Sequence, residues 1–283
     1  MEIFLYLFAY ILYLLLFTFV LFCVTILGGK NLGFDYYYCL EGYMRIDKFL
    51  SDMGIATRRE SAEAAKRGQI LVDGAPVKKA SVHIDPEKVR LSYRGQEIAY
   101  TRFTYVMLNK PEGYVSATED SSLPVVTDLL PEQLKRRELF PVGRLDKDTV
   151  GMMILTNDGV LAHTLLSPRH HVAKEYRFSS AEPMAEGVEE RFRDGVVLAD
   201  GYECKSALIE LDEDRLGGVI TLTEGKYHQI KRMVASTSNR VTFLERISFA
   251  GIPLDTTLAR GEWRYLTDTE VDLLRRMANP EED

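Results

Sequence analysis

The chain has 283 residues with ordinary apolar and charged fractions, a length that suits two globular domains. Its formal net charge of −7 excludes a globally basic nucleic-acid-binding protein, although a local basic patch is still compatible with RNA binding. Only Cys204 follows Met44, which excludes a disulfide framework or a cysteine metal site in that part of the chain. The sequence also lacks phosphate-binding glycine loops and dinucleotide fingerprints. Because it contains no cluster of metal-ligating residues either, we predict no metal site.

Residues 1–43 differ in composition from the rest of the chain. No charged residue occurs from Ile3 to Gly29, a stretch long enough to span a bilayer. A secretory signal fits poorly, because Glu2 stands where a basic residue is expected. Three interpretations stay open: a mis-assigned start upstream of Met44, a membrane anchor within residues 1–27, or a buried apolar hairpin or helix. We favour the first and expect a cytoplasmic protein, with membrane contact only if the anchor is real.

Two short helices are predicted directly after this leader. The first has its apolar side chains at helical spacing, at Ile46, Phe49, Leu50 and Met53. Thr57 and Glu60 form a capping-box pattern that begins a second helix, which runs to about Arg67. A strand at 69–72 and a tight turn at Asp73-Gly74 complete an αα-β module.

This module is the basic end of the chain. Residues 44–100 contain 11 basic and 8 acidic residues, and Arg58 and Arg59 lie in the first helical turn, where backbone N–H groups favour phosphate. A solvated helix face is the alternative. The patterns RIDKFL, TRRE and RGQILVDG within residues 44–90 resemble the S4 RNA-binding domain. That resemblance implies RNA contacts, for which we predict Arg58, Arg59, Lys66 and Lys78.

From Phe103 onward, short strands and helices mix without strict alternation. The predicted strands are 105–108, 152–155, 208–211, 219–223 and 241–246, and the predicted helices are 160–166, 186–193, 227–236 and 267–277. This order favours an α+β fold with a mixed, largely antiparallel sheet over a doubly wound fold. We therefore divide the chain into an apolar leader (1–43), an S4-like domain with its linker (44–100) and a larger domain (101–283).

The motif GRLDKDTVG at residues 143–151 places four charged side chains between two glycines. Apolar runs flank this motif. Charged side chains between apolar segments cost free energy unless water solvates them, opposite charges pair with them, or they take part in binding or catalysis. Taken alone, Asp146 could be a structural loop aspartate that caps backbone groups and pairs with Arg144.

Three further segments accompany this motif: NKPEGY (109–114), SPRHHVAKEY (167–176) and EGKYHQIKRM (224–233). In this order the four segments resemble the pseudouridine synthases that carry an N-terminal S4 domain, above all the bacterial enzymes acting on small-subunit ribosomal RNA. The resemblance runs from Met44 to about Leu274. It implies an isomerase that breaks the N1 glycosidic bond of a uridine, turns the uracil and joins C5 to the ribose without a cofactor.

The same resemblance implies roles for individual residues. Asp146 matches the catalytic aspartate, which either attacks the sugar or abstracts a sugar proton. Tyr176 matches the tyrosine that stacks on the target uracil, and Lys231 matches the basic partner of the aspartate. Arg144 matches an arginine that helps to extrude the base and contacts phosphate. Weaker RNA contacts, with a scaffold role as the alternative, are predicted for His228, Gln229 and Arg232.

We therefore predict site-specific formation of pseudouridine in 16S (small-subunit) ribosomal RNA. The alternatives are a synthase acting on 23S ribosomal RNA and a non-catalytic RNA-binding factor in ribosome assembly. The implied partner is ribosomal RNA or an assembly intermediate, with no small-molecule cofactor. We take a monomer as the working expectation.

Overall fold

The computed structural model of the protein describes residues 42–167 and 169–279. Within these ranges the chain divides into two compact units, one of residues 42–51 and 55–100 and the other of residues 52–54 and 101–279. The hypotheses about the apolar leader (1–43) depend on residues 1–41, which lie outside the described part. None of the helices described is both long and apolar enough to cross a membrane.

The smaller unit contains two helices and six short strands. Their bounds are α1 (Ile46–Asp52), α2 (Arg58–Lys66), β1 (Met44–Arg45), β2 (Ile70–Val72), β3 (Ala75–Pro76), β4 (His83–Ile84), β5 (Leu91–Tyr93) and β6 (Gln96–Ile98). The antiparallel sheet has the order β3-β2-β5-β6, and β1 pairs with β4. The predicted capping box is confirmed, because the amide of Thr57 donates to Glu60 Oε2 at 2.7 Å and the amide of Glu60 donates to Thr57 Oγ1 at 3.2 Å.

Two turns of this unit use left-handed backbone. Asp73 and Gly74 have φ values of 50° and 80°, which confirms the predicted turn between β2 and β3. The segment from Leu91, near the end of the predicted domain with its linker (44–100), forms the β5–β6 hairpin. Arg94 and Gly95, with φ of 52° and 84°, make its turn.

The larger unit is built on a nine-stranded sheet. Its strands are β7 (Tyr105–Lys110), β8 (Phe140–Pro141), β9 (Val150–Thr156), β10 (Lys174–Ser180), β11 (Leu208–Leu211), β12 (Gly217–Leu222), β13 (Val241–Phe249), β14 (Ile252–Pro253) and β15 (Trp263–Tyr265). The order is β11-β12-β10-β13-β9-β7-β15, with β8 on β9 and β14 on β13. Among these described strands only β9 and β13 pair in parallel, so the predicted α+β fold with a mixed, largely antiparallel sheet is confirmed.

Helices cover both faces of this sheet. Their bounds are α3 (Glu132–Lys135), α4 (Gly159–Leu166), α5 (Val188–Asp194), α6 (Gln229–Ala235) and α7 (Asp268–Ala278), and a 3-10 turn spans Val126–Leu129. Buried side chains of α5 and α6, such as Phe192 and Met233, pack with Phe178 of the sheet on one face. Leu165 of α4 and Leu274 of α7 pack on the other. The central strands are therefore buried on both sides and form a rigid base for the loops at their ends.

Candidate active site

One row of residues across the sheet joins four separate sequence segments. Lys110 of β7 pairs with Gly151 of β9, Gly151 pairs with Arg246 of β13, and Arg246 pairs with Tyr176 of β10. Gly151 has φ of 98°, and a Cβ there would lie 2.3 Å from the carbonyl oxygen of Arg246. The final glycine of the GRLDKDTVG motif is therefore required where the β9 and β13 backbones approach each other.

Residues 143–149, which we call the central loop, are held by side chains from the preceding segment. Ser116 Oγ donates to the carbonyl of Leu145 at 2.7 Å and accepts from its amide at 2.9 Å. Lys110 is fully buried, and its Nζ donates to four backbone carbonyls at 2.8 to 3.3 Å, those of Pro111, Asp146, Lys147 and Thr149. Burial lowers the pKa of Lys110 to about 8 even though nearby carboxylates oppose the shift. These bonds fix the loop from inside.

The carboxylate of Asp146 lies between two side chains of the EGKYHQIKRM segment. Lys231 Nζ donates to Asp146 Oδ2 at 2.9 Å and to Asp148 Oδ1 at 2.5 Å. On the other side, His228 Nε2 is 3.5 Å from Asp146 Oδ1. Partial burial opposes the charge of Lys231, but its bonds to Asp148 and Asp146 outweigh that effect and raise the lysine pKa above its usual range. Lys231 therefore stays protonated beside Asp146 at neutral pH.

Asp146 faces a cleft with a polar mouth and apolar walls. The ring of Tyr176 and the side chains of Leu222, Ile230 and Leu244 line it, together with Arg144, Lys231 and His228. A flat, partly polar ring such as a nucleobase suits these walls, and the carboxylate is ready to act as a nucleophile or a base.

Arg144 lies at the cleft as an exposed side chain. It forms no ion pair or hydrogen bond with any residue that the structure describes, and the nearby acidic residues Asp146 and Asp148 both bind Lys231. The guanidinium is therefore available for a phosphate group.

Comparison with known proteins assigns the family. Residues 104–236 match the family model of RNA pseudouridylate synthase, and residues 44–90 match that of the S4 domain. An uncharacterized RNA pseudouridine synthase of Bacillus subtilis is 42% identical over 234 residues, covering 82% of this chain and 98% of the relative. This chain belongs to the RNA pseudouridine synthase family. The predicted family resemblance and the predicted enzyme class, an RNA-modifying isomerase, are thereby confirmed.

Two further proteins extend the comparison for this pseudouridine synthase. Ribosomal small subunit pseudouridine synthase A of Escherichia coli is 38% identical over 233 residues, covering 81% of this chain and 98% of the relative. A crystal structure of a pseudouridylate synthase matches 82% of this chain and 99% of its own, with 33% identity and a TM-score of 0.58. The combination of an S4 domain and a synthase domain therefore accounts for both folded units.

Gln229 of the synthase is predicted as an RNA contact with a scaffold role as the alternative, and its burial and contacts favour the scaffold role. Its side chain is only 4% exposed. The amide Nε2 donates to Glu224 Oε1 at 2.5 Å, and its Oε1 accepts from the amide of Lys226 at 2.8 Å. Glu224 also accepts from the hydroxyl of Tyr202 and the amide of Lys205. Gln229 thus secures the turn before α6.

The structure places the other predicted RNA contacts at the surface or partly exposed. Arg232 forms an ion pair with Asp200 and is 30% exposed, so its guanidinium is already engaged by the protein. In the smaller unit, the predicted contacts are all exposed: Arg58, Arg59, Lys66 and Lys78. Arg59 makes only a 3.6 Å pair with Glu63, which is also exposed. RNA binding by these residues stays a prediction.

Histidine, cysteine and acidic side chains form no cluster of three or more that could hold a metal ion within residues 42–167 and 169–279. The described Cys204 is a buried, free thiol, and burial raises its pKa.

Proposed function

We propose that this pseudouridine synthase isomerises a specific uridine of small-subunit (16S) ribosomal RNA, with Asp146 as its catalytic carboxylate, and that it acts in the cytoplasm. The observation that carries the proposal is the Asp146 carboxylate, which Lys231 binds at 2.9 Å at the mouth of a cleft lined by Tyr176. The choice of 16S RNA is supported by relatives named as small-subunit synthases, at 38% identity in Escherichia coli and 39% in Vibrio vulnificus.

In this proposal the target uridine enters the cleft as an extruded nucleotide. A base in an RNA stack must be unstacked before its glycosidic bond is reached, at a cost of a few kcal/mol. The face of Tyr176 offers stacking to the uracil, and the unpaired Arg144 offers charge to the adjacent phosphate. The two residues would thereby offset the loss of stacking in the RNA.

The isomerisation exchanges the C1′–N1 and C5–H bonds of the substrate for the C1′–C5 and N1–H bonds of the product. As the bond from C1′ to N1 breaks, Asp146 either attacks C1′ and forms a bond that C5 later displaces, or abstracts a sugar proton that it later returns. The released uracil turns between the apolar walls, and C5 bonds to C1′. A proton then leaves C5 and N1 ends protonated, so the product has the same atoms as the substrate. Lys231 binds Asp146 Oδ2 at 2.9 Å and holds the carboxylate in position at the start of this sequence.

The test is a map of pseudouridines in ribosomal RNA from cells with the gene, without it, and complemented with wild-type or Asp146→Asn protein. We expect one small-subunit site to disappear without the gene and to return with the wild type only. The variant should keep nearly full RNA affinity, because phosphate contacts dominate binding. If a pseudouridine in 23S RNA disappears instead, the enzyme acts on large-subunit RNA and the proposed 16S target is wrong. Modification restored by Asp146→Asn would overturn the catalytic assignment, and an unchanged map would favour an assembly factor.

A further inference from the structure

Tyr227 is an aromatic side chain left exposed beside the active-site cleft. It is 74% exposed, and of the large apolar side chains in the described ranges only Val160 is more so. Water is a poor environment for an unpartnered aromatic face, and exposed aromatic residues next to a binding site commonly serve recognition. Tyr227 does not line the cleft itself, whereas its neighbour His228 does. Its ring therefore lies outside the uracil pocket but adjoins the pocket's rim.

The orientation of Tyr227 is fixed by its neighbour. The rings of Tyr227 and His228 stack with centroids 3.8 Å apart and planes 19° apart. His228 adopts a left-handed backbone with φ of 48°, which is unfavourable for a residue with a side chain. For this reason α6 begins at Gln229, whereas the sequence predicts a helix that begins at Tyr227. The strained backbone keeps the ring pair outside the helix.

The surroundings of this ring pair are suited to a nucleotide. Lys226, the residue before Tyr227, is exposed. Its Nζ lies 4.8 Å from the centre of the Tyr202 ring. Arg232 Nη1 donates to the carbonyl of Tyr227 at 3.4 Å, which supports the backbone below the ring. A stacking aromatic with a basic residue beside it in the chain is typical of surfaces that bind single-stranded RNA bases and their phosphates.

We propose that Tyr227 is a stacking platform for the nucleobase adjacent to the target uridine. The proposal rests on the proposed function, since it takes the uridine in the cleft as its reference point. The uracil occupies the cleft against Tyr176, while the neighbouring base stacks on the free face of Tyr227 at the rim. Because His228 lies between Tyr227 and Asp146, the stacked base closes the site next to the catalytic carboxylate. Tyr227 thereby contributes to the choice of uridine, because the adjacent nucleobase must adopt a conformation in which it stacks on the Tyr227 ring.

The first test reads stacking directly and needs no turnover. RNA fragments containing the modified site carry 2-aminopurine on the 5′ or the 3′ side of the target uridine and are bound to Asp146→Asn protein. We expect quenching of one of the two probes. Quenching should persist when Tyr227→Phe is added and disappear when Tyr227→Ala is added. Tyr265→Ala is the matched control, because Tyr265 is also exposed, at 57%, and does not line the cleft.

The second test uses the active enzyme. Since one stacked base is worth a factor of roughly 5 to 150 in binding, Tyr227→Ala should raise KM about ten-fold and change the single-turnover rate at saturating RNA far less. Thermal unfolding of the variant should match the wild type. Unchanged probe quenching in Tyr227→Ala, or a lower rate at unchanged KM, would overturn the proposal. If Asp146→Asn proved active while Tyr227→Ala still lost quenching, the catalytic assignment would fail and the stacking site would stand.

Discussion

The buried ammonium group of Lys110 donates a hydrogen bond to the main-chain carbonyl of Asp146 at 3.1 Å. The same aspartate is bound from outside by Lys231, so one lysine holds its backbone and another holds its carboxylate. A catalytic group must keep its position to a fraction of an ångström, which needs supporting contacts of this kind. Lys110 is therefore a positioning residue.

Replacing Lys110 by methionine should lower both stability and rate. The carbonyls of Pro111 and Thr149 would lose this donor, whereas those of Asp146 and Lys147 also accept from backbone amides and would keep a partner. Buried acceptors without partners cost about 1–3 kcal/mol each when no water replaces the donor, so we expect a loss of roughly 3 kcal/mol in the free energy of unfolding. Urea denaturation and single-turnover kinetics measure the two effects. Lys135→Met removes an exposed lysine as the control, and equal behaviour of the two variants would contradict the role.

Gly151→Ala should destabilise the fold more strongly than any surface change. Its Cβ would meet the carbonyl of Arg246 at 2.3 Å, and its φ of 98° is unfavourable for alanine. We expect a loss of at least about 3 kcal/mol, seen as a lower denaturation midpoint. Gly159→Ala is the matched control, since no atom lies within 4 Å of the added group and φ is not in the left-handed region. A Gly151→Ala protein as stable as this control would show that the β9–β13 contact is loose.

Local sequence signals predicted most of the helices and the Asp73-Gly74 turn, because the causes of these elements lie within a few residues, but they did not predict α3. The capping box of α7 is an example, with the amide of Glu270 donating to Thr267 Oγ1 at 3.3 Å. The strand Leu208–Leu211 also lies where its apolar residues predict it. The family motifs further pointed to Asp146 and Lys231, which lie 85 positions apart and meet in the fold.

Other features depend on distant contacts and could not be predicted from local patterns. Lys110 was visible only as part of a motif, because its function comes from carbonyls about 36 residues away. Gln229 belongs to an RNA-associated motif, yet its partner Glu224 is also bound by Tyr202 and Lys205, which lie 22 and 19 positions before Glu224 and meet it only in the fold. Residue type indicates which bonds a side chain can make, whereas the tertiary structure decides which of them it makes.

Lys174 should give stability a measurable pH dependence. Burial, aided by the charge of Arg246, lowers the pKa of Lys174 to about 8 from an ordinary value of 10.5. Between these values the unfolded chain holds a proton that the folded protein has released, so this lysine's contribution to stability rises with pH from about 8 to 10.5. Lys174→Met lacks this titration. In urea denaturation at a series of pH values, the free energy of unfolding of the wild type should therefore rise relative to that of the variant between about pH 8 and 10.5. Both proteins contain Lys110, so its low pKa does not affect the difference between them. Parallel curves of unfolding free energy against pH would contradict the lowered pKa of Lys174.

Lys231→Met should slow catalysis far more than it weakens RNA binding. Without the ammonium group, the Asp146 carboxylate loses its 2.9 Å partner beside the like charge of Asp148, so its orientation is no longer fixed from that side. We expect a fall of about 100-fold in the single-turnover rate. Lys231→Arg should restore part of it, and Asp148→Asn, which leaves the Asp146 bond in place, should cost less than about ten-fold. An unchanged rate in Lys231→Met would reduce Lys231 to a surface residue.

Arg58→Ala with Arg59→Ala should weaken RNA binding through electrostatics alone. Both side chains are exposed at the start of α2, and the Arg59 pair with Glu63 at 3.6 Å contributes little to stability. If each arginine neutralises one phosphate, the slope of log affinity against log salt concentration should fall by about 1.5 to 2. The rate at saturating RNA should not change, because neither residue lines the cleft. Arg193→Ala with Arg276→Ala removes two exposed arginines of the larger unit and controls for the change in net charge. An equal salt slope in the double variant and the wild type would place the RNA contacts of the S4 domain elsewhere on its surface.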